Sequence, residues 1–202
     1  MSIKIIAPFK RIIDARIPIV KIGNARFTRI EADVMEYVTR RGKERGVEIL
    51  RVINKKRRLE DLRDFCNESK HSVGIHSWAT DFTNSTLIHN HPNGFPVSVS
   101  DISFMMHNCA RKIIATTPCG GFSLMKQPKV SRDLWRRPKP DFSTLGKLRN
   151  ELDTKKCELG LDKETILNLD EKIIKEYIDF AIPQLQKFAN EVGFTFKHKL
   201  NL

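Results

Sequence analysis

The sequence has no uninterrupted apolar run that approaches the ~20 residues of a membrane-spanning helix. Residues 1–7 include no long apolar region, which argues against a secretory signal. Cysteine is scarce and dispersed, at Cys66, Cys109, Cys119 and Cys157. No pair of them forms Cys-x-x-Cys, so a structural zinc site built from cysteines is disfavoured. We therefore expect a cytoplasmic protein with reduced thiols and no membrane partner.

Acidic residues are too few to balance the basic ones. Asp and Glu together number 24 against 36 Lys and Arg, which gives a net charge of +12. Basic runs occur at Arg40–Arg45, Lys55–Arg58 and Arg132–Lys139, and only Trp135 adds an aromatic residue near them. This balance favours an anionic partner such as nucleic acid or an acidic protein substrate. Solvated faces without a partner explain the same runs equally well.

The segment around residue 89 is the most informative part of the chain. Thr86–His89 is β-branched and apolar and predicts a short buried strand that leads into His89-Asn90-His91-Pro92. Because alternate side chains of a strand point the same way, His89 and His91 are expected to face one side, with Asn90 turned away. Two imidazoles would then lie next to each other.

A helix is predicted to start directly after this strand. Pro92–Gly94 ends the strand in a turn, and Ser98 precedes an apolar run that has Asp101 in its first helical turn. A strand end that leads into a helix start can bring the Asp101 carboxylate over His89 and His91. Three such ligands and a water form the coordination of a catalytic zinc site.

Each part of this pattern also has a simpler explanation. Ser98-x-x-Asp101 before an apolar run is a helix-capping sequence, and an isolated His-x-His pair is more often incidental than metal-binding. The combination of His89, His91 and Asp101 in this order is a much narrower pattern. Capping and metal binding are compatible roles for the same aspartate.

The pattern His89-Asn90-His91-Pro92 followed by Ser98-x-x-Asp101 resembles the signature of the JAMM (MPN or JAB) zinc metalloproteases. It is closest to the prokaryotic, phage and RadC-like branches of that family, and the resemblance extends over about residues 47–125. Five residues separate Pro92 from Ser98, one fewer than in the common form of the motif. The resemblance implies a zinc ion held by His89, His91 and Asp101, and an oxyanion-stabilising role for Ser98.

The family also uses an upstream glutamate as general base, and Glu48 is the best match. The segment 47–53 predicts a strand with Glu48 at its start, ended by the polar residues 54–56. The simpler alternative is a solvent-facing glutamate. Glu31 and Glu36 lie in the preceding predicted helix, and Glu60 and Glu68 fall in a polar stretch.

The predicted fold is α/β, a mixed β-sheet flanked by helices. By resemblance it is the JAMM/MPN, cytidine-deaminase-like fold. We divide the chain into an N-terminal extension of short strands plus a helix (1–46), a JAMM-like core (47–130), and a basic linker with a C-terminal helical extension packed on the core (131–202). Further elements are predicted as strands at Ile3–Ile6, Ile19–Ile22, His71–Trp78, Lys112–Thr117, Gly121–Met125 and Phe194–Lys197, and helices at Thr28–Arg45, Thr144–Leu159 and Lys163–Val192. Pro183 should kink or break the last helix.

The function that the resemblance implies is zinc-dependent hydrolysis of an amide bond in a protein or peptide, including removal of a ubiquitin-like tail. The alternative is a non-catalytic scaffold or RadC-like module that binds nucleic acid or a protein complex through its basic surface. The remaining histidines near the motif, His71, His76 and His107, are expected to be structural or exposed.

Overall fold

The structure is a computed structural model that describes residues 19–62, 66–69, 72–75, 80–129, 142–161 and 170–200. The predicted strand Ile3–Ile6, the basic run Arg132–Lys139, and both His71 and His76 lie outside these residues. The described elements, in chain order, are β1 Ile19–Ile22, β2 Ala25–Thr28, α1 Arg29–Arg45, β3 Leu50–Ile53, β4 Cys66–Glu68, β5 Val73–Ile75, β6 Thr86–Asn90, α2 Val99–His107, β7 Lys112–Thr116, β8 Phe122–Lys126, α3 Phe142–Glu158, α4 Glu171–Glu191 and β9 Thr195–Lys199.

A five-stranded mixed sheet with the order β3-β6-β7-β8-β9 forms the centre of the molecule. β6 and β7 are parallel, and the other neighbouring pairs are antiparallel. A parallel pair needs a crossover connection, and here the segment 91–98 and α2 provide it. The expected α/β class with a mixed sheet is confirmed.

The two faces of the sheet are covered by different helices. On one, which we call the α1 face, Val38 of α1 shares an apolar cluster with Ile88 of β6. On the other, the α2 face, Ile102 of α2 and Leu185 of α4 share a second cluster with Met125 of β8. The alternation of side chains along each strand therefore decides which helices a residue meets.

The N-terminal part of the described chain folds onto the α1 face. β1 and β2 form a hairpin, and Phe27 packs edge-on against Phe122 of β8 with ring centroids 5.0 Å apart. The predicted capping box is present, because Thr28 and Glu31 bond reciprocally to each other's backbone N–H groups. α1 ends where predicted, at Gly46, whose φ of 64° is left-handed.

The structure differs from the sequence-based expectations about elements in three places. The strand expected over 47–53 starts only at Leu50, because a side chain of β6 takes the hydrogen bonds of the residues before it. Within the predicted strand His71–Trp78, Val73–Ile75 form a strand, and residues 71 and 76–78 lie outside the described residues. Its partner strand at Cys66–Glu68 was not predicted. α4 runs unbroken through Pro183, since its buried face continues on both sides of the proline.

The remaining strands and helices agree with prediction to within a few residues at their ends. None of the helices in the described ranges combines the length and the apolar character that a membrane span requires.

Candidate metal site

The end of β6 presents two imidazoles to the α2 face of the sheet. His89 is on the strand and His91 follows it, and both side chains are buried, with 2% and 7% of their surface exposed. Their Nε2 atoms are 2.8 Å apart. The predicted shared orientation of the two histidines is therefore present.

The first turn of α2 brings the Asp101 carboxylate to the same point. Its Oδ1 lies 3.3 Å from His89 Nε2, and its Oδ2 lies 3.3 Å from His91 Nε2. The three ligand atoms, one from each residue, all lie within 4.8 Å of one another. The five residues between Pro92 and Ser98 are thus enough to bring the aspartate back over the histidines.

Backbone contacts orient two of the three groups. The Phe95 carbonyl lies 3.0 Å from His91 Nδ1, so a proton on Nδ1 leaves the Nε2 lone pair facing the site. The Ser98 N–H donates to Asp101 Oδ2 at 2.7 Å. The Val97 N–H donates to Ser123 Oγ at 2.8 Å, which ties this loop to β8. Metal ligands in proteins are typically held by such outer contacts.

Electrostatics favour a cation among these groups. Burial opposes charge on Asp101, but the adjacent imidazoles outweigh it and hold the pKa of that carboxyl well below its usual range. Burial also opposes charge on His91, but the hydrogen bond and the charge of Asp101 raise the pKa of His91 to about 9. A divalent cation could take the place of that proton. Two nitrogens of buried imidazoles and one oxygen of the half-buried Asp101 converge, and these donors fit a metal ion.

Glu48 faces the same site from the end of β3. The ladder between β3 and β6 pairs Leu50 with His89, and continuing that register places Glu48 opposite His91 on the same face of the sheet. The side chain of Glu48 is 9% exposed. Burial raises the pKa of Glu48, while the nearby His91 and His89 act in the opposite direction. A buried carboxyl with a raised pKa beside a metal site is suited to accept a proton.

The β4–β5 hairpin holds Glu48 in place. The Glu48 backbone N–H donates to the Ser69 carbonyl at 2.7 Å. Its carboxylate accepts a hydrogen bond from the Val73 backbone. Because no sequence pattern indicated this hairpin, these two contacts of Glu48 could not be predicted.

Asn90 is a site residue that sequence reasoning missed. Its Oδ1 accepts from the Ile49 N–H at 2.8 Å, and its Nδ2 donates to the Val47 carbonyl at 3.1 Å. These two bonds flank Glu48 on both sides, so Asn90 connects the metal-ligand strand to the glutamate. The carboxamide lies against Gly42 of α1, where a side chain would collide with it. The only signal in the sequence was an asparagine at a buried strand position.

Ser98 is the N-cap of α2. Its Oγ accepts from the Asp101 N–H at 3.1 Å, and the Asp101 carboxylate accepts from the Ser98 N–H, which completes a capping box. Since Oγ is the acceptor in that bond, the hydroxyl proton of Ser98 takes no part in the capping box. Ser98 is partly exposed. The capping alternative considered for this pair is correct and coexists with the position of Asp101 in the site.

The other described residues that the sequence analysis considered have different contacts. His107 is exposed, contacts Ser103 and stacks on Phe142 with ring centroids 4.3 Å apart. Glu36 is exposed on α1. Three glutamates bond elsewhere: Glu31 to Lys112, Glu60 to Asn54, and Glu68 to Arg45 and Arg51.

Comparisons of this chain with known protein families, with curated proteins and with solved structures find no significant match.

Proposed function

We propose that this protein is a zinc-dependent hydrolase that cleaves an amide bond. The observation that carries the proposal is the convergence of His89, His91 and Asp101 within 4.8 Å, with buried Glu48 facing the same point. An accidental cluster of polar groups would not be expected to place a carboxyl with a raised pKa beside three potential ligands.

Zinc fits this donor set better than harder cations do. Two imidazole nitrogens and one carboxylate oxygen match catalytic zinc sites, whereas magnesium and calcium prefer oxygen ligands alone. Within the described residues, no other His, Cys, Asp or Glu completes the group. A fourth position would therefore be available to water or substrate.

The resemblance of the motif implies a role for each side chain. When bound, zinc would supply Lewis acidity and lower the pKa of a coordinated water to about 7. Glu48 would take a proton from the attacking water and deliver it to the leaving amine. The hydroxyl of Ser98 would donate to the oxygen of the cleaved carbonyl, where charge develops. His91 would be kept in its orientation by the Phe95 carbonyl.

The substrate class rests on the resemblance of the motif to JAMM proteases. A peptide or isopeptide bond is the amide in question, and the chain bearing it would be a protein or a ubiquitin-like tail. The JAMM/MPN fold itself belongs to this proposal, since a mixed sheet with flanking helices is common to many families.

Zinc content and amide hydrolysis of the wild-type protein and two variants test the proposal. We expect one zinc per chain in the wild type, near-complete loss of zinc in Asp101→Ala, and retained zinc without activity in Glu48→Gln. Glu36→Gln is a matched control, because it makes the same change at an exposed helix position.

Two results would contradict the proposal at different points. A wild-type protein that does not retain zinc after dialysis against a weak chelator would refute the metal site. A Glu48→Gln variant as active as Glu36→Gln would leave the metal site intact and refute the role of Glu48 as base.

A further inference from the structure

Three lysines on three neighbouring strands lie on the α1 face of the sheet. Lys112 of β7 lies directly opposite Lys126 of β8, and Lys126 lies opposite Thr195 of β9. Lys197 is two residues beyond Thr195 and so shares its face. Arg111 immediately precedes β7, and its charge acts on Lys126. We call Arg111, Lys112, Lys126 and Lys197 the Lys126 patch, and all four are partly exposed.

Acidic residues neutralise little of this charge. Glu31 forms an ion pair with Lys112, with 2.7 Å between Glu31 Oε1 and Lys112 Nζ. Lys197 donates to the Asn24 carbonyl, which carries no net charge, at 2.8 Å. In the part of the chain that the structure describes, neither Arg111, Lys126 nor Lys197 forms an ion pair with a carboxylate.

The crowding of like charges is costly to the protein alone. Like charges directly opposite on adjacent strands destabilise a sheet. Burial lowers the pKa of Lys126, and the charges of Arg111, Lys112 and Lys197 lower it further, while the charge of Glu31 acts in the opposite direction. An anion bound across the patch would relieve this repulsion.

Two of the basic runs that stand out in the sequence, Arg40–Arg45 and Lys55–Arg58, lie within the described residues and form ion pairs with nearby carboxylates. Arg40 and Arg41 both pair with Glu44, and Lys55 pairs with Asp81 at 2.5 Å. Their positive charge is therefore partly compensated by local carboxylates. The lysines of the Lys126 patch, by contrast, are brought together by strand pairing and are not contiguous in the sequence.

We infer that the Lys126 patch binds the phosphate backbone of a nucleic acid. Adjacent strands are about 4.8 Å apart, so cations on β7, β8 and β9 span about 10 Å and can contact more than one phosphate. Protein interfaces rely on aromatic and large apolar anchors. The large apolar side chains exposed in the described residues are Ile19, Tyr37, Leu59 and Phe142, and none lies on β7, β8 or β9. Contacts made only by Lys and Arg to phosphates carry no sequence preference.

The patch is separate from the metal site. His89 and His91 lie at the carboxyl end of β6 and on the α2 face, whereas Lys112 pairs with Thr86 at the start of β6 and lies on the α1 face. Binding there requires neither zinc nor Glu48. The test of nucleic-acid binding is therefore independent of the test of the proposed hydrolase activity.

Anisotropy titrations of a labelled 20-nucleotide duplex and single strand with the full chain test this inference. The patch variant is Arg111→Gln/Lys126→Gln/Lys197→Gln. The control is Lys147→Gln/Lys172→Gln/Lys187→Gln, which removes the same charge from exposed positions of α3 and α4. We expect the wild type and control to bind, and the patch variant to bind on the order of tenfold or more weakly at ~50 mM salt. The slope of log K against log salt should fall by about 3 in the patch variant.

Three results would overturn the inference. One is no binding by the wild type at ~20 mM salt. Another is an equal loss of affinity in the patch variant and the control variant, which would mean that net charge alone attracts the nucleic acid. The third is competition by poly-glutamate as effective as that by unlabelled nucleic acid, which would indicate an acidic protein as the partner. Circular dichroism of both variants establishes that the loss is not due to unfolding.

Discussion

A single methyl group at Gly42 should disturb the candidate site from the opposite face of the sheet. Gly42 is buried in α1, and a Cβ there would lie 2.6 Å from Asn90 Oδ1 and closer still to its Nδ2 and Cγ. The carboxamide cannot easily move away, because it is bonded to the Ile49 N–H and the Val47 carbonyl. Gly42→Ala should therefore displace Asn90 and release the chain on both sides of Glu48.

The size of the effect follows from opposing contributions. Replacing a helical glycine by alanine stabilises a helix by about 1 kcal/mol when nothing obstructs the methyl group. Against this, overpacking costs about 1–3 kcal/mol, and each buried backbone group left without a partner costs about 1–3 kcal/mol. Two such groups, on Val47 and Ile49, are at risk. We expect a net loss of about 2–4 kcal/mol in the free energy of unfolding.

Urea denaturation and thermal melting measure this loss, and Gly146→Ala is the matched control. Gly146 also lies in a helix, but nothing is within 4 Å of its added Cβ. The control should gain up to about 1 kcal/mol. Gly42→Ala should lower the melting temperature by roughly 5–15 °C. The two alanine substitutions are therefore expected to shift stability in opposite directions.

A double-mutant cycle decides whether Asn90 is the cause. In an Asn90→Ala background the space beside Gly42 is free, so adding Gly42→Ala should cost nothing further or give a small gain. We expect a coupling energy of about 2 kcal/mol or more. Gly42→Ala as stable as Gly146→Ala, or strictly additive effects of the two substitutions, would refute the described clamp.

Two further predictions concern Glu48 and the C-terminal helix. Because burial raises the pKa of Glu48, folding disfavours its charge, so Glu48→Gln should stabilise the metal-free protein at pH 7. That gain in stability should vanish below about pH 4.5, where the carboxyl is protonated in both folded and unfolded chains. A Glu48→Gln variant that is less stable than the wild type at pH 7 in urea denaturation would contradict this prediction. Tyr177 of α4 packs on Phe95 with ring centroids 4.8 Å apart, and the Phe95 carbonyl orients His91. Tyr177→Ala should weaken zinc binding about 10–100-fold in competition with a chelating dye, while Tyr177→Phe should not. Equal zinc affinities of the two folded variants would show that Tyr177 does not help to orient His91.

The parts of the site that could be predicted from the sequence are those fixed by local signals. The β-branched run that ends at His89 and the capping pair Ser98 and Asp101 each carry their structure within a few residues. The alternation of side chains along β6 then placed His89 and His91 on one face without any knowledge of the neighbouring strands.

The parts that could not be predicted depend on which strands pair and in which register. Glu48 faces His91 only because β3 lies antiparallel to β6 with Leu50 opposite His89. A shift of one residue would turn Glu48 to the α1 face. The motif resemblance pointed to Glu48, but nothing within the segment 47–53 fixed that register.

The β4–β5 hairpin shows the same limit of local reasoning. Cys66–Glu68 is polar and has no clear alternation, so its tendency to form a strand is weak on its own. Its formation agrees with tertiary contacts, since the adjoining Ser69 accepts the Glu48 N–H and Glu68 pairs with Arg51 of β3. The Lys126 patch is likewise a product of pairing, because its members lie up to 86 residues apart (Lys197 minus Arg111).

The architecture also favours a carboxylate over a third imidazole at the Asp101 position of the candidate site. The parallel arrangement of β6 and β7 makes α2 begin beside the carboxyl end of β6, so the positive end of the helix dipole points toward the metal position. A neutral ligand there would leave that partial charge opposed to a cation. Asp101 in the first turn offsets it, accepts the Ser98 N–H in the helix cap, and would supply a ligand oxygen from the same carboxylate. Negative charge therefore stabilises both the helix start and a cation at the candidate site, and the Asp101 carboxylate provides it for both.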